Sequence, residues 1–204
     1  MVFKNLKTLA LTAVLASATS FMATANESKF IEVDIQYTHE YKTLADYDKF
    51  HVDELDLSHS KIVPAPWIDK KTFKWDVQPG NRSWMQGKFK KSIEGALKDK
   101  YAVVAEADKG VLVVHVTIIA FTPFVSKDDV EARTKGVGEM RVNIQLRDGG
   151  TGELVYMLEG VESVGSDYQP NTDLARKENT EELFEQWGTN LRAFVDEAHD
   201  KKAN

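Results

Sequence analysis

The segment from Val111 to Phe121 restricts the possible folds of this chain more than any other part of the sequence. It is apolar at almost every position and rich in β-branched residues, which is typical of a strand in the centre of a sheet. One polar residue, His115, interrupts the apolar run. A histidine inside such a strand must find a hydrogen-bond partner, so we expect a structural role for His115 in preference to a catalytic one.

Alternation along this strand divides its side chains between two faces. The first face has Leu112, Val114, Val116 and Ile118, and the second has Val111, Val113, His115, Thr117, Ile119 and Phe121. Both faces are apolar enough to need a cover. If helices cover one face, we expect the N-terminal segment or the loop at 58–82 to cover the other, with a partner protein or a second copy of the chain as the alternative.

Further strands are predicted from alternating or β-branched patterns on either side of this segment. They lie at 50–57, 139–147 and 153–161, and the glycine-rich turn Asp148–Gly152 joins the last two as a hairpin. Residues 31–37 also alternate, which indicates either a short strand or an extended arm.

Two amphipathic helices are predicted from capping signals and helical spacing. Ser83 and Gln86 form a capping box for the first, and Asn179 and Glu182 form one for the second. The apolar stripe of the first helix has Trp84, Phe89, Ile93, Ala96, Leu97 and Tyr101. That of the second has Leu183, Trp187, Leu191, Phe194, Val195 and Ala198.

The order strand, helix, three strands, helix predicts an α+β fold. We expect a mixed sheet with two helices on one face, and an extended N-terminal segment before it. In terms of domains, residues 26–44 form that extended segment and residues 45–204 form a single α+β domain.

The first 25 residues predict an export signal. Lys4 and Lys7 are followed by an apolar run that is too short to span a bilayer, and Ala23 and Ala25 are small residues at the positions that a signal peptidase reads. We therefore expect cleavage after Ala25, a periplasmic or secreted location and no transmembrane segment in the mature chain. Because the sequence contains no Cys, lipid attachment to cysteine, disulfides and thiolate chemistry are excluded.

The charge balance argues against nucleic-acid and anionic-membrane partners. The formal net charge is −6, and removal of a signal peptide that carries only basic residues makes the mature chain more acidic. A polyanion would be repelled by such a surface.

Three predicted loops, 58–82, 122–138 and 162–178, are unusually long, and the strand order places them at one edge of the sheet. Both helix N-termini point to this long-loop edge. The residues that we predict to bind a ligand or partner there are Trp67, Phe73, Trp75, Arg82, Arg133, Tyr168 and Arg176. In the alternative interpretation, the three aromatic residues of 58–82 fold back over the uncovered face of the sheet, and the basic residues belong to a mixed solvated surface.

The sequence contains no recognisable catalytic or metal-binding motif. Gly136-Val137-Gly138 is not in a nucleotide-binding context and is interpreted as a flexible entry to the next strand. We expect no catalytic residues, metal or cofactor. The leading hypothesis is a non-enzymatic periplasmic accessory protein that binds an envelope protein through the long loops. The alternatives are a small-ligand or lipid carrier and, less favoured, a hydrolase that uses His115.

Several segments resemble an uncharacterised family of Gram-negative envelope proteins, mostly lipoproteins, called domain of unknown function 3313. The matching segments are Ala45–Asp53, Lys100–Val104, Gly110–Val116, Leu146–Asp148, Thr151–Glu153 and Glu185–Trp187. The resemblance implies an envelope location and an α+β domain but no activity. The chain lacks the lipid-bearing cysteine of that family, so we expect it to be held in place by a protein contact, which could be a homodimer, or by simple confinement. By fold analogy, similar domains are accessory parts of envelope transport and assembly machines.

Overall fold

The computed structural model describes residues 32–76 and 78–203, so the predicted signal peptide lies outside the described residues. The strands are β1 (Glu32–Thr38), β2 (Lys49–Val52), β3 (Lys61–Ile62), β4 (Ala102–Val103), β5 (Val111–Pro123), β6 (Arg133–Lys135), β7 (Gly138–Asp148), β8 (Leu154–Val164) and β9 (Tyr168–Pro170). The helices are α1 (Pro79–Leu97) and α2 (Asp173–Ala203). A short 3-10 turn, Leu44–Asp46, precedes β2.

The main sheet of the described chain is mixed and has the order β1-β8-β7-β5-β2-β4, with β3 also paired to β5. As predicted, β5 is central: it runs parallel to β2 across the α1 crossover and antiparallel to β7. The tight turn after Asp148 joins β7 to β8. Residues 32–38 form an antiparallel edge strand on β8. Of the two alternatives for this segment, the strand is therefore correct. The predicted α+β class is confirmed.

The hydrophobic core lies between the two helices and one face of the sheet. Leu112, Val114, Val116 and Ile118 of β5 point into it and are almost fully buried. The helices pack closely on each other, since a Cβ at Gly188 of α2 would lie 2.8 Å from the carbonyl oxygen of Ser92 in α1. Phe89, Phe184 and Trp187 fill the space between these elements.

The opposite face of the sheet, here called the open face, is covered only near the start of β5. Val111 and Val113 are buried, but His115 and Thr117 are half-exposed. Our expectation of a complete cover is therefore wrong for the middle of the strand. On β7 the open face carries a row of polar side chains that are two residues apart. Arg147 donates a hydrogen bond to Gln145 (2.8 Å), and Gln145 donates one to Asn143 (2.7 Å).

A β-bulge near the end of β5 changes the face on which its last residues lie. Ile118 pairs with Val142, but Ala120 pairs with Arg141, so Ile119 is the extra residue. Phe121 consequently lies opposite Met140, which belongs to the helix-side core. The assignment of Phe121 to the same face as His115 is wrong, because simple alternation takes no account of a bulge.

Helix α1 begins earlier than predicted. Its N-cap is Gln78 and its first residue is Pro79, a residue that suits this position because its φ angle is already helical and it has no N–H to satisfy. The predicted capping box is wrong. Ser83 lies inside the helix, and the Gln86 side chain donates to the carbonyl oxygen of Leu55 (3.2 Å).

Helix α2 also begins before its predicted cap. Thr172 precedes the first residue, Asp173, and its Oγ1 accepts a hydrogen bond from the N–H of Ala175 (3.2 Å). The prediction that Asn179 caps the helix is wrong. Asn179 is buried within the helix, where its Nδ2 donates to the carbonyl oxygen of Ala175 and to the side chain of Gln169.

The three long segments are shorter as loops than predicted, because each contains regular structure. The first includes β3 and the start of α1, the second includes β6, and the third includes the end of β8, β9 and the start of α2. They nevertheless meet at one edge. Strands β6 and β9 join the second to the third, and the N–H of Lys127 donates to the carbonyl oxygen of Lys74 (3.0 Å), which joins the second to the first.

Gly136-Val137-Gly138 is packed in the interior and is not a loosely packed surface entry to the strand. All three residues are buried, and Gly136 has a φ of +70°. A Cβ at this position would lie 2.3 Å from the carbonyl oxygen of Gly165, so close packing as well as backbone conformation requires glycine here. Among residues 32–76 and 78–203, no helix has the length and apolarity to cross a membrane.

Candidate functional site

A cavity of about 540 Å³ lies at the long-loop edge, where the first turns of α1 and α2 meet the end of β5. Its volume is within the range of small-ligand sites in proteins. Segments from all three predicted loops contribute to its lining. The parts of these segments that the structure places in helices supply Gln78 and Asn81 at the start of α1 and Asp173 at the start of α2. The prediction that both helix N-termini face this edge therefore holds, although the predicted cap residues do not.

The floor of the cavity is apolar and belongs to the sheet. Ile118 and Phe121 come from β5, Met140 from β7, and Val137 from the residues just before β7. Phe121 reaches the cavity because of the bulge at Ile119, which turns its side chain to the helix side. Leu57, Ile62 and Met85 complete the apolar lining.

Two tryptophans form the aromatic walls. The ring of Trp75 lies 5.5 Å from that of Phe121, with an interplanar angle of 56°. The guanidinium of Arg176 stacks over Trp75 at 5.3 Å, and the Nζ of Lys177 lies 5.8 Å from the ring of Trp84. Both contacts are within the range of cation–π interactions, so each wall places an aromatic face beside a positive charge.

Arg176 is held in place by a buried asparagine. Its Nη1 donates to the backbone oxygen of Asn171 (3.1 Å), and its Nη2 donates to Oδ1 of Asp173 (2.5 Å), which lowers the pKa of the Asp173 carboxyl. Asn171 is only 2% exposed. Its Nδ2 donates to the carbonyl oxygens of Ser126 (2.8 Å) and Asp129 (3.0 Å), so one side chain links the second long segment to the entry of α2.

The lining has more positive than negative charges. The cationic side chains are Arg82, Lys127, Arg176 and Lys177, and the carboxylates are Asp76 and Asp173. Lys127 pairs with Asp76 at 3.2 Å and Arg176 pairs with Asp173. In the described part of the chain, Arg82 and Lys177 have no ion pair, and Arg82 donates only to the carbonyl oxygen of Leu57 (3.0 Å). The Asp173 carboxylate, which is paired with Arg176, also interacts electrostatically with Lys177, and the four cations of the lining outnumber its two carboxylates.

An outer groove of about 470 Å³ shares Trp75, Asp76, Lys127, Asp173 and Arg176 with the cavity. It extends toward Val130, one of several large apolar side chains at this edge that are exposed to solvent. The others are Val63, Trp67, Tyr168 and Leu174. Five of the eight large apolar side chains that are exposed in the described chain lie at this edge, and such a grouping is typical of an interaction surface.

The family model described as protein of unknown function (DUF3313) matches residues 15–191. This chain belongs to the DUF3313 family. The resemblance expected from the sequence is thereby confirmed. A comparison of the DUF3313 chain with curated proteins finds no match.

Solved structures with low similarity to this DUF3313 chain include a PelC dodecamer from Paraburkholderia phytofirmans. It is 10% identical, with a TM-score of 0.39, and the match covers 76% of this chain and 96% of that chain. Protein XCC0632 from Xanthomonas campestris is 12% identical, with a TM-score of 0.40 and coverage of 76% and 87%. The hypothetical protein CT253 from Chlamydia trachomatis is 8% identical, with a TM-score of 0.39 and coverage of 73% and 98%.

Three of the seven residues predicted to bind come together in the cavity of this DUF3313 protein: Trp75, Arg82 and Arg176. The other four lie outside its lining. Trp67 is 69% exposed, and its Nε1 donates to the carbonyl oxygen of Phe124 (3.0 Å).

The remaining three predicted residues lie on the loops near the cavity. Phe73 is half-buried. Arg133 is exposed on β6 and donates to the backbone oxygen of Tyr168 (3.3 Å), while the Tyr168 side chain is 72% exposed. These residues belong to the outer surface of the long-loop edge.

The alternative in which the 58–82 aromatics cover the open face does not fit the positions of the two tryptophans. Trp75 packs on Phe121 at the helix side of the sheet, and Trp67 packs on Phe124 with most of its surface exposed. Trp75 therefore closes one side of the cavity and leaves part of its ring accessible from within it.

Sequence reasoning missed Trp84, Lys127 and Asn171. The helical period assigned Trp84 to the core stripe, whereas it lines the cavity. The signal that could have identified it was Pro79, which favours the first position of a helix and places Trp84 in the first two turns, close to the loop edge. Asn171 has no local sequence signal, because its partners are far away in the chain.

The hydrogen-bond partner that His115 requires at this position is present, and it is the side chain of Asp53. Nδ1 of His115 lies 2.9 Å from Oδ2 of Asp53, and Nε2 of His51 lies 3.2 Å from Oδ1 of the same carboxylate. This group lies on the open face, across the sheet from the cavity. Within the described ranges, no cluster of three or more His, Asp or Glu side chains is arranged to hold a metal ion.

Proposed function

We propose that this DUF3313 protein is a non-enzymatic accessory protein of the bacterial envelope that binds a small ligand in the cavity at its long-loop edge. The observation that carries the proposal is the lining: an apolar floor from the sheet, two tryptophan walls and an excess of cations over carboxylates, supplied by the first turns of both helices, the sheet and the loops beside them. Ligand sites are commonly concave, mostly apolar and equipped with a few placed polar groups. The envelope location rests on the predicted signal peptide at residues 1–25.

The proposal needs no catalytic step. Among the described residues, none of those that line the cavity is a histidine, and His115, which is paired with Asp53, lies on the opposite face of the sheet. A hydrolytic role for His115 would require substrate to bind the open face.

The proposal is tested with the mature chain, residues 26–204, purified from a periplasmic fraction. Native mass spectrometry is expected to detect a bound small molecule. After its removal, the neutral probe N-phenyl-1-naphthylamine is expected to bind with increased fluorescence. Trp75→Ala is expected to weaken binding of the probe, and Trp67→Ala, in the exposed part of the same loop, serves as the control. A protein that carries no small molecule and binds no probe would contradict the proposal.

A second candidate function, docking of an envelope protein, is favoured by the exposed apolar side chains around the outer groove. Trp67 and Tyr168 are the largest of these. Their combined replacement by Ala is expected to abolish crosslinking to a partner in intact cells while probe binding is retained. Crosslinking that persists in this variant would count against a partner at this edge.

A further inference from the structure

We infer that the ligand of the cavity is an anionic amphiphile, a molecule with one acidic head group and an apolar body. This inference rests on the proposed function and specifies its ligand. The lining separates into two chemically different parts, and each part selects one half of such a molecule.

The apolar half is selected by the floor. Ile118, Met140 and Val137 form the base of the cavity but are almost fully buried, so the apolar surface that a ligand can cover belongs to the half-buried side chains around them. These are Ile62, Trp75, Met85 and Phe121. A hydrocarbon body gains free energy in proportion to the apolar area that it buries here, whereas a fully polar ligand would gain nothing from the floor.

The acidic half is selected by two cations. Lys127 and Arg176 are neutralised by Asp76 and Asp173, and Arg176 is further fixed by Asn171. Arg82 and Lys177 form no salt bridge in the described chain, and the carboxylate that interacts with Lys177, Asp173, is already paired with Arg176. Arg82 uses one guanidinium nitrogen on the carbonyl oxygen of Leu57, which leaves its other donors available to a ligand.

Both cations are accessible to a head group. Both side chains belong to exposed residues that also line the cavity, and Trp84 lies beside Lys177. A carboxylate or phosphate monoester that reaches Arg82 or Lys177 would make charge-assisted hydrogen bonds. A guanidinium can donate paired hydrogen bonds to a carboxylate or to a phosphate with the same geometry. The inference is therefore an acidic head group, and the experiment below distinguishes a fatty acid from a phosphate monoester.

The test measures displacement of N-phenyl-1-naphthylamine from the mature chain by three ligands with the same alkyl chain. These are dodecanoate, dodecyl phosphate and dodecanol, all below their aggregation concentrations. We expect at least one of the two anions to displace the probe at a concentration at least tenfold lower than dodecanol. The relative strength of dodecanoate and dodecyl phosphate then identifies a fatty acid or a phosphate monoester as the source.

The variant Arg82→Gln/Lys177→Gln is expected to remove the preference for the anions and to retain probe binding. The matched control is Lys70→Gln/Lys91→Gln, which removes the same charge from exposed positions outside the cavity. The Arg82→Gln/Lys177→Gln variant also loses the hydrogen bond from Arg82 to the carbonyl oxygen of Leu57 and the contact of Lys177 with Trp84, so a small decrease in its melting temperature is expected and is measured first.

The possible results separate the acidic head group, the roles of Arg82 and Lys177, and the proposed function. If dodecanol competes as well as the anions, the acidic head group is overturned and the proposed function stands. If the preference survives in Arg82→Gln/Lys177→Gln, the assignment of these two residues is overturned. If neither the probe nor any of the three ligands binds, the proposed function fails together with the inference.

Discussion

The rings of Trp75 and Phe121 pack against each other with their centroids 5.5 Å apart, although the two residues belong to a loop and to the end of the central strand. This contact attaches the first long segment to the sheet and forms one wall of the cavity. It exists because the bulge at Ile119 turns Phe121 toward the helices. A local irregularity of one strand thus determines where the loop docks.

Replacement of Trp75 by Ala is expected to reduce the free energy of unfolding by about 1–3 kcal/mol, because the ring is half-buried and packs against Phe121 and Arg176. Binding of the neutral probe is expected to weaken at least tenfold, since a wall of the cavity is lost. Trp67→Ala removes an exposed ring and is expected to change stability by about 1 kcal/mol or less. Chemical denaturation and probe titration measure both effects. Equal probe affinities in the two variants would contradict this role for Trp75.

Replacement of Asn171 by Asp is expected to lower the free energy of unfolding by about 1–3 kcal/mol. An ionised carboxylate cannot donate a hydrogen bond, so the carbonyl oxygens of Ser126 and Asp129 would lose their donor. The side-chain oxygen of residue 171, to which Nη1 of Arg176 also donates, is retained, which separates the two contributions. Thermal melts with Asn171→Ala, which loses both the side-chain donor and this side-chain acceptor, complete the comparison. A melting temperature for Asn171→Asp equal to that of the parent chain would show that these two hydrogen bonds contribute no stability.

Glu162 on β8 is half-buried, and burial raises the pKa of its carboxyl to about 7. The folded chain therefore keeps this proton at a pH where the unfolded chain has lost it, and the stability penalty grows as the pH rises from about 4.5 to about 7. Glu162→Gln is expected to stabilise the protein by roughly 1–2 kcal/mol at pH 8, after allowance for partial exposure. At pH 4 the gain is expected to be much smaller. Denaturation curves at the two pH values decide the matter, and a gain that does not depend on pH would refute the assignment.

Asp196 in α2 shows the opposite behaviour. Burial of its carboxylate opposes the shift, but hydrogen bonds from Tyr101, Lys100 and Arg192 lower its pKa to about 2. A lowered pKa gives stability that is complete above the unfolded value of about 3.8 and is lost as the pH falls toward 2. Asp196→Asn is therefore expected to cost roughly 1–2 kcal/mol at pH 7, discounted for partial exposure, and little at pH 2.

The control for this prediction is Asp99→Asn, which changes an exposed aspartate in the turn after α1. It is expected to leave the free energy of unfolding within about 0.5 kcal/mol of the parent value at both pH values. If the two variants show the same dependence on pH, the hydrogen bonds around Asp196 do not produce the effect.

The parts of the fold that could be predicted depend on patterns that are local in sequence. The central strand β5 follows from its β-branched run, and the hairpin after Asp148 follows from its glycines and the alternating strands around it. Their pairing then follows from the crossover geometry of a strand, a helix and a parallel strand. The long-loop edge could be placed by the same rule, and it brought Trp75, Arg82 and Arg176 to one site.

The parts that could not be predicted depend on contacts between distant residues. Thr172 and Asn179 both resemble helix caps in sequence, and the choice between them depends on packing of Asn179 beside Gly165. The bulge at Ile119 has no residue signal, since its apolar neighbours fit either face of the sheet. Asn171 functions through carbonyl oxygens that are about 40 residues away in the chain.

Gly165, which follows β8, has a φ of +83° and lies directly against the buried side chain of Asn179. A Cβ at this position would lie 1.7 Å from Oδ1 of Asn179, so one of the two must move. Gly165→Ala therefore combines an unfavourable backbone conformation with a steric clash in a buried region, and we expect a loss of about 3 kcal/mol or more. The matched control is Gly95→Ala in α1, where no atom lies within 4 Å of the new Cβ. That substitution is expected to stabilise the helix by up to about 1 kcal/mol. Thermal melts of the two variants measure the contrast, and a Gly165→Ala protein as stable as Gly95→Ala would show that Asn179 can adopt another position at no cost.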